Sequence, residues 1–377
     1  MKIVLATGIY PPDIGGPATY VRELARELTE QKHEVTVLTY QTIFVDHSPP
    51  PAWKIIRVPR GGGMFFAWRN YSKALKQYAN DADCVVCFSS VSCGVPLWMS
   101  GITKPKTMLR LGGDFFWERY TAVGGGLGLQ AWYTNGKPES FGDRVNLFIT
   151  RFMNGLVMGR LLNRFDHVVY STQYQLDIHK NHYKKLPDTL VLQNALPGGS
   201  PMLHAMHSPL KLLFLGRFVR FKNVIALLHA LRDFPDATLT MTGEGPERLR
   251  LKQEAEASGL SQRVTFLRPV LSEDKQRLFA DHDLLVLPSI TEISPNVALE
   301  ARGSGLPVLL TQQTGLSGEL TKGMVKAPLH TAADIARAIA SVKTNYADIA
   351  REAASPPLQR PWSAVAQEWV ALFSRPR

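Results

Sequence analysis

Apolar and polar positions fall in blocks along the chain, and the blocks alternate between two periods. Residues 2–7 are a short apolar run suited to a fully buried strand, and a Gly- and Pro-rich stretch, 8–17, follows. Val21, Leu24, Ala25 and Leu28 then recur at i, i+3, i+4 and i+7, the spacing of one apolar helix face. A second strand is predicted over 34–40, and further runs at 83–89, 106–111, 166–171 and 189–193 predict the other strands of this half. Strands separated by helical patterns predict βαβ units and a parallel sheet. Pro197-Gly198-Gly199-Ser200-Pro201 is the strongest linker signal. After it the pattern restarts, with strands predicted over 211–216, 237–242, 264–266, 284–288 and 307–311 and helices over 223–231 and 247–258. In the tail, Val365, Ala366, Trp369, Val370 and Phe373 fall at helical spacing. The fold class read from this is α/β, with two doubly wound, Rossmann-like domains over 1–200 and 201–355 and a helical segment over 356–377.

Length agrees, since 377 residues at about 150 per domain make two domains. A hydrophobic share of 45% and a charged share of 20% exclude disorder, collagen and coiled coil. No apolar run approaches the ~20 residues that span a bilayer. The run 3–10 lacks a basic leader and a small-residue cleavage site, so it reads as a core strand and not as a signal peptide. Cys84, Cys87 and Cys93 are clustered and odd in number, which argues against a disulfide framework. Cys84-x-x-Cys87 has redox or metal spacing, but it lies in an apolar strand with no second ligand pair, so core thiols in a reducing cytoplasm are expected. The net charge of +11 leans to the first half, where residues 1–200 carry 22 basic and 15 acidic side chains. Such an excess suits nucleic acid, anionic lipid or a phosphorylated ligand, and composition does not choose among them.

In doubly wound folds ligands bind beyond the carboxyl ends of the strands, so the loops after strands are where chemistry is sought. Pro11-Pro12-Asp13-Ile14-Gly15-Gly16-Pro17 links strand one to helix one. Gly15 and Gly16 can take positive φ and admit a ligand to the backbone, and the helix start favours an anion; equally, the glycines can serve the turn alone. Arg217 and Lys222 flank the turn after the first strand of the second half, where two cations could grip a diphosphate or simply sit in water. The third stretch runs from Leu285 to Val308. Glu292 is predicted in a loop, Ser294 as a helix N-cap and Pro295 at the first helical position. The N–H groups of Asn296 and Val297 would then be available to a phosphate oxygen, and Glu300, one turn in, could accept hydrogen bonds from ribose hydroxyls. Two solvated glutamates near a helix start are the plain alternative.

Taken in order, the Gly-Gly loop, Arg217-x4-Lys222, Glu292-x7-Glu300 and Gly305-Leu306-Pro307-Val308 resemble the retaining GT-B glycosyltransferases of family 4. Leu192-Gln193-Asn194, Thr242-Gly243-Glu244-Gly245-Pro246 and Leu287-Pro288-Ser289 support the resemblance. It covers nearly the whole chain and is strongest over 211–320. It implies a GT-B fold, with two domains facing across a cleft and a C-terminal helix, starting near Trp362, that returns to the first domain. It implies that Arg217 and Lys222 hold the donor diphosphate, Glu292 the donor sugar and Glu300 the ribose. Ser294, Pro295, Asn296, Val297 and Gly243 would border the donor, and Gly15 and Gly16 the diphosphate and acceptor. Many family members have a histidine after a middle strand of the first domain. Here Asp114, in Arg110-Leu111-Gly112-Gly113-Asp114-Phe115-Phe116-Trp117, occupies that place. It could meet a sugar hydroxyl or stabilise charge at the anomeric carbon, or it could be a capping residue.

The activity implied is retaining transfer of a sugar from a nucleotide-sugar to a hydroxyl of a saccharide or lipid-linked saccharide, in cell-surface polysaccharide or glycolipid synthesis. No metal and no cofactor are expected, because Arg217 and Lys222 supply the charge that a metal would bring. Asp81-Ala-Asp83 and Asp281-His-Asp283 mimic a metal motif but precede apolar strands, so they read as helix-to-strand turns. Residues 144–164 carry Arg144, Arg151, Arg160 and Arg164 among apolar residues and no acid. A basic amphipathic helix can lie on an anionic membrane; packing on the sheet with the arginines in water is the commoner arrangement and is the one expected here. Phe65-Phe66-Ala67-Trp68 and Phe115-Phe116-Trp117 are candidates for exposed loops that meet the acceptor, or for core. The expected location is the cytoplasm, including the inner face of the membrane. A nucleotide-sugar epimerase on the same fold, and a non-enzymatic basic membrane-binding protein, are the alternatives. No basic and aromatic pattern names a nucleic-acid module, so no nucleic-acid partner is expected.

Overall fold

The computed structural model describes residues 1–13, 15–42, 49–134, 136–138, 140–196, 198–270 and 272–375; Ile14 of the first loop and Pro197 of the linker lie outside the described residues. The chain divides into two compact units. One comprises Met1–Phe116, Phe148–Ala195 and Arg360–Arg377, and the other Trp117–Leu147 and Leu196–Gln359.

Up to Ala195 the elements run β1 (Lys2–Ala6), α1 (Gly16–Glu30), β2 (Glu34–Tyr40), β3 (Lys54–Val58), α2 (Met64–Ala79), β4 (Cys84–Cys87), α3 (Val95–Ser100) and β5 (Lys106–Leu111). They continue with α4 (Phe115–Ala122), α5 (Leu129–Tyr133), α6 (Phe141–Leu162), β6 (His167–Tyr170), α7 (Gln173–His182) and β7 (Asp188–Val191). The seven strands form a parallel sheet ordered β3-β2-β1-β4-β5-β6-β7. The strand order reverses beside β1, which makes the loop after it a topological switch point. Ile3, Leu5, Val37 and Val86 pack with Val21 and Leu24 of α1, the helix face that the spacing predicts.

From Leu196 the elements run β8 (Lys211–Leu215), α8 (Val224–Ala230), β9 (Thr238–Thr242), α9 (Arg248–Ala257), β10 (Val264–Leu267), α10 (Ser272–Asp281) and β11 (Leu284–Leu287). Then follow α11 (Asn296–Gly303), β12 (Val308–Thr311), β13 (Met324–Ala327), α12 (Ala332–Thr344), α13 (Tyr346–Ala353) and α14 (Trp362–Phe373). Six strands form a second parallel sheet, ordered β10-β9-β8-β11-β12-β13. Its order reverses between β8 and β11. The last helix, α14, belongs to the first unit: Trp369 is fully buried and its indole N–H donates to the Tyr20 hydroxyl at 2.9 Å, while the Trp362 ring meets Tyr20 edge-on at 5.0 Å. This is the returning C-terminal helix that the resemblance implies.

Some expectations need correction. Strands β3 and β13 escape the hydrophobic pattern because both are edge strands with few buried residues, Lys54-Ile-Ile-Arg-Val58 and Met324-Val-Lys-Ala327. The segment 115–117 is not an exposed loop: it opens α4, Phe116 and Trp117 are buried, and the Trp117 indole donates to the Leu127 carbonyl. Met64, Phe65 and Phe66 are exposed, but in the first turn of α2 and not in a loop. Helix α6 buries only one side. Leu147, Met158 and Leu161 face inward, while Val145, Phe148, Ile149, Phe152, Met153 and Leu156 are exposed, against the expectation that its apolar residues are core. The helix is apolar around most of its girth, and one sheet can cover one stripe only. All three cysteines are buried, and burial pushes the Cys93 thiol up to about 12 and Cys87 well above its ordinary value, as unreactive core thiols require.

Candidate active site

In the second unit, β8 and β11 are neighbours, so the loops that leave their carboxyl ends start side by side at the switch point. The loop after β8 carries Arg217 and then one tight turn, Arg220–Lys222, closed by Asn223 in the left-handed region at φ 52°. The Asn223 amide holds this turn by donating to the carbonyls of Leu329 and His330. The turn aims Lys222 at the loop after β11. There the Lys222 ammonium lies 2.6 Å from Glu292 Oε1, and the same oxygen accepts a hydrogen bond from the Ser289 hydroxyl at 2.5 Å. Glu292 is only 5% exposed. Its backbone is pinned as well: its N–H donates to the Gln313 carbonyl and its carbonyl accepts from Gly315. A buried ion pair recovers little of its desolvation cost as stability, so fixed charges at a strand end point to a job beyond folding.

Arg217 is the more exposed cation, 3.4 Å from Glu118 of α4. Gly216 packs against the loop after β9. Gly243 sits at φ 152°, and a Cβ there would lie 1.9 Å from the Gly216 carbonyl oxygen; Gly245 has the same relation to the carbonyl of Phe218. These glycines let two backbones touch, and so fix where Arg217 starts.

Helix α11 begins at Asn296 with Pro295 as its cap residue, one position later than the sequence indicates. Ser294 therefore stands one residue before the cap position expected of it. The Ala298 N–H bonds back to the Pro295 carbonyl, while Asn296 and Val297 are the first helical residues, whose N–H groups have no intrahelical acceptor. Glu300 lies one turn on, partly exposed, with Lys275 of α10 at 2.7 Å. Arg302, buried near the far end of α11, donates to the Lys322 carbonyl and to the carbonyl and hydroxyl of Ser355, which anchors the helix.

The structure thus brings Lys222 and Glu292 into contact and carries Arg217, Gly243, Ser294, Pro295, Asn296, Val297 and Glu300 on strand-end loops or the helix start of the same unit. A cavity of about 290 Å³ in this unit is lined by Gly124, Gly125, Gly126, Arg220, Asn223 and Glu247 among others, and by none of those candidate residues. It lies against Arg220, which pairs with Glu247 at 3.4 Å.

Gly15, Gly16 and Asp114 belong to the first unit. Gly16 opens α1 and Gly15 caps it in an extended conformation at φ 162°, so neither glycine uses the left-handed freedom expected of it. Asp114, just after β5, is 6% exposed. His179 of α7 places Nε2 at 3.3 Å from its carboxylate and Nδ1 at 3.0 Å from the Tyr170 hydroxyl. Burial, with lesser contributions from Tyr183 and Asp114, pushes the Tyr170 hydroxyl well above its ordinary value, so it stays a neutral donor or acceptor in this chain. Asp83 and Asp283 play the structural part expected of them: Asp83 accepts from the Lys2 N–H, and the fully buried Asp283 accepts from the N–H groups of His207 and Lys211.

Ser289, Lys275, Glu118 and His179 were not legible as partners in the sequence. Only Ser289 left a signal, three residues before Glu292; the others lie 25 to 99 residues from the side chains they meet.

Comparison with known proteins follows the same division. The profile of the family "Glycosyl transferases group 1" matches residues 204–355, and that of "Glycosyltransferase Family 4" matches 14–195. A D-inositol 3-phosphate glycosyltransferase of Corynebacterium urealyticum is 33% identical over 121 residues, 29% of this chain and 28% of the relative. The chain spans about a third or less of the length of the first such relatives it matches. An alpha-monoglucosyldiacylglycerol synthase of Streptococcus pneumoniae is 23% identical over 90% of this chain and 77% of its own. Among solved structures, sucrose-phosphate synthase from Thermosynechococcus elongatus superposes with a TM-score of 0.77 at 18% identity, over 99% of this chain and 98% of that one. Anabaena HepE with UDP-glucose superposes with a TM-score of 0.70 at 16% identity, over 99% of this chain and 100% of that one.

Proposed function

Because the chain belongs to the glycosyltransferases that join a family 4 domain to a group 1 domain on the GT-B fold, we propose that it moves a sugar from a nucleotide-sugar to a hydroxyl with retention at the anomeric carbon. The observation that carries this reading is the buried Lys222–Glu292 pair at the switch point of the second sheet. Without ligand, Glu292 neutralises Lys222. A donor diphosphate would take over Lys222, with Arg217 and the start of α11 adding positive charge where the leaving group gains negative charge. Two cations and a helix end supply the neutralisation that a metal would otherwise bring. Glu292 is then left to accept hydrogen bonds from the donor sugar, and Glu300 to accept them from the ribose.

In the transfer, the bond from the anomeric carbon to the diphosphate oxygen breaks and a bond to the acceptor oxygen forms on the same face. The acceptor proton passes to a diphosphate oxygen. Within the first unit, Gly15 and Gly16 after β1 and Asp114 after β5 are the residues we propose for acceptor contact, with His179 beside the Asp114 carboxylate. HepE has been solved with UDP and with UDP-glucose, which makes a uridine donor the first to try. The streptococcal relative, by its name, makes a glycolipid, which favours a saccharide or lipid-linked acceptor in cell-surface polysaccharide or glycolipid synthesis, at the cytoplasmic side where nucleotide-sugars are made.

The test is a thermal-shift panel of UDP, GDP, ADP and dTDP with their sugars, with and without a chelator, on the wild type and Glu300→Ala. One base should give a shift that survives the chelator and is lost in the variant. Product NMR with that donor should show the donor's anomeric configuration kept. No shift with any nucleotide would overturn the assignment.

A further inference from the structure

Among the described residues, helix α6 carries the largest run of exposed apolar side chains along one helix. Val145, Phe148, Ile149, Phe152, Met153 and Leu156 follow i, i+3, i+4, i+7, i+8 and i+11, one continuous stripe, and all are exposed. Phe148 is 70% and Phe152 60% exposed, and their rings stack on each other at 6.3 Å. The opposite side of the same helix, with Leu147, Asn154, Met158 and Leu161, is buried. An outward stripe of this size on a packed helix is a docking surface and not core.

Charge names the occupant. At 100° per residue, Arg144 and Arg151 fall on one flank of the stripe and exposed Arg160 falls near its other edge, between the lines of Ile149 and Met153, while exposed Arg164 lies just past the end of the helix. No Asp or Glu occurs between 144 and 164. The basic border extends beyond the helix: Asn163 bonds to the carbonyl of Lys185, which brings exposed Lys184 and Lys185 to its carboxyl end. Arg164 lies 5.6 Å over the half-exposed indole of Trp98, next to exposed Met99. An apolar stripe edged by arginines with an aromatic at its end matches a bilayer interface, where acyl chains take the stripe and anionic headgroups the cations. No described helix is long and apolar enough to cross a membrane, so the contact is with its surface. We infer that α6 docks this protein on anionic membranes, lying in the plane of the interface.

This goes beyond the transfer chemistry and is measured apart from it. The full chain is floated with vesicles of phosphatidylcholine alone and of phosphatidylcholine with about a third phosphatidylglycerol. Binding is expected to the anionic vesicles, weak to the neutral ones, and reduced by salt. Phe148→Ser with Phe152→Ser should lower the partition coefficient at least about tenfold. Each of Arg144→Gln and Arg160→Gln should lower it about fivefold on anionic vesicles only. These side chains are exposed or half-buried, so melting temperature and any nucleotide-induced shift should stay as in the wild type. No flotation with anionic vesicles, or equal flotation of the double serine variant, overturns the inference even where nucleotide still binds. So does a dimer seen by light scattering that Phe152→Asp dissolves, because the stripe would then belong to a second copy of the chain.

Discussion

At the residue scale, Lys222 and Glu292 show why one member of a buried pair at a candidate site is costly to change alone. Removing Lys222 leaves a carboxylate that is 5% exposed with, among the described residues, the Ser289 hydroxyl as its remaining side-chain donor. Lys222→Ala should therefore lose about 3 kcal/mol of stability as well as at least about 100-fold in turnover. Adding Glu292→Gln removes the uncompensated charge, so the double variant should regain much of the stability and none of the turnover. Urea unfolding of the wild type, both single variants and the double variant checks this; additive stability losses would show that the pair is not coupled. The same residues mark how much of the site the sequence disclosed. Arg217, Lys222, Glu292 and Glu300 are singled out by the order of their motifs, which resembles family 4, and each is placed by a short loop or one helical turn. Their neutralising partners are set by the fold. Lys275 reaches Glu300, and Glu118 reaches Arg217, only because the chain returns, and a one-dimensional pattern carries no trace of that.

At the scale of elements, loops determine where the cations stand, and the decisive contact is between two backbones. Gly243 at φ 152° meets the Gly216 carbonyl where a Cβ would lie 1.9 Å away. The neighbour is main chain and cannot rotate aside. Gly243→Ala should cost about 2–4 kcal/mol and push Gly216 away from the β9 loop, moving the Arg217–Lys222 turn with it. A fall in the urea midpoint together with weaker nucleotide binding is the expected pair of results. Weaker binding at full stability would make Gly243 a donor contact and nothing more. Buried strands and one-faced helices were legible because their hydrophobic period is strong; β1, β4, β8 and β11 follow from it directly. Edge strands β3 and β13 and the outward stripe of α6 were not, because a period shows which positions are apolar and does not show which stripe the neighbours leave uncovered.

For the whole molecule, the expected pair of parallel-sheet domains holds; of the way the chain passes between the units, the resemblance implies the return of the last helix, and the crossing of Trp117–Leu147 does not show in the residues. Trp117–Leu147 gathers with the second unit and Arg360–Arg377 with the first, through packing such as Trp369 on Tyr20. Folding both units also buries groups that water would otherwise charge, and this sets a pH window for stability. Burial lowers the pKa of His204 and His282 in the second unit, and of His33 in the first, from 6.5. The unfolded chain then binds more protons than the native one just below pH 6.5, so stability falls as the pH drops through that value and levels off once the native histidines also protonate. At the other end, burial raises Tyr71 and Cys87 above 10.0 and 9.0, so the native state keeps protons that the unfolded chain releases, and stability falls again above about pH 9. Urea midpoints measured from pH 5 to 10.5 should form a plateau between about 7 and 9 with a decline on each side. His282→Gln should flatten the acid decline, since Gln keeps a donor and an acceptor for the Leu278 carbonyl and the Thr240 hydroxyl without gaining a charge. An acid limb unchanged in that variant would mean that the decline comes from other groups.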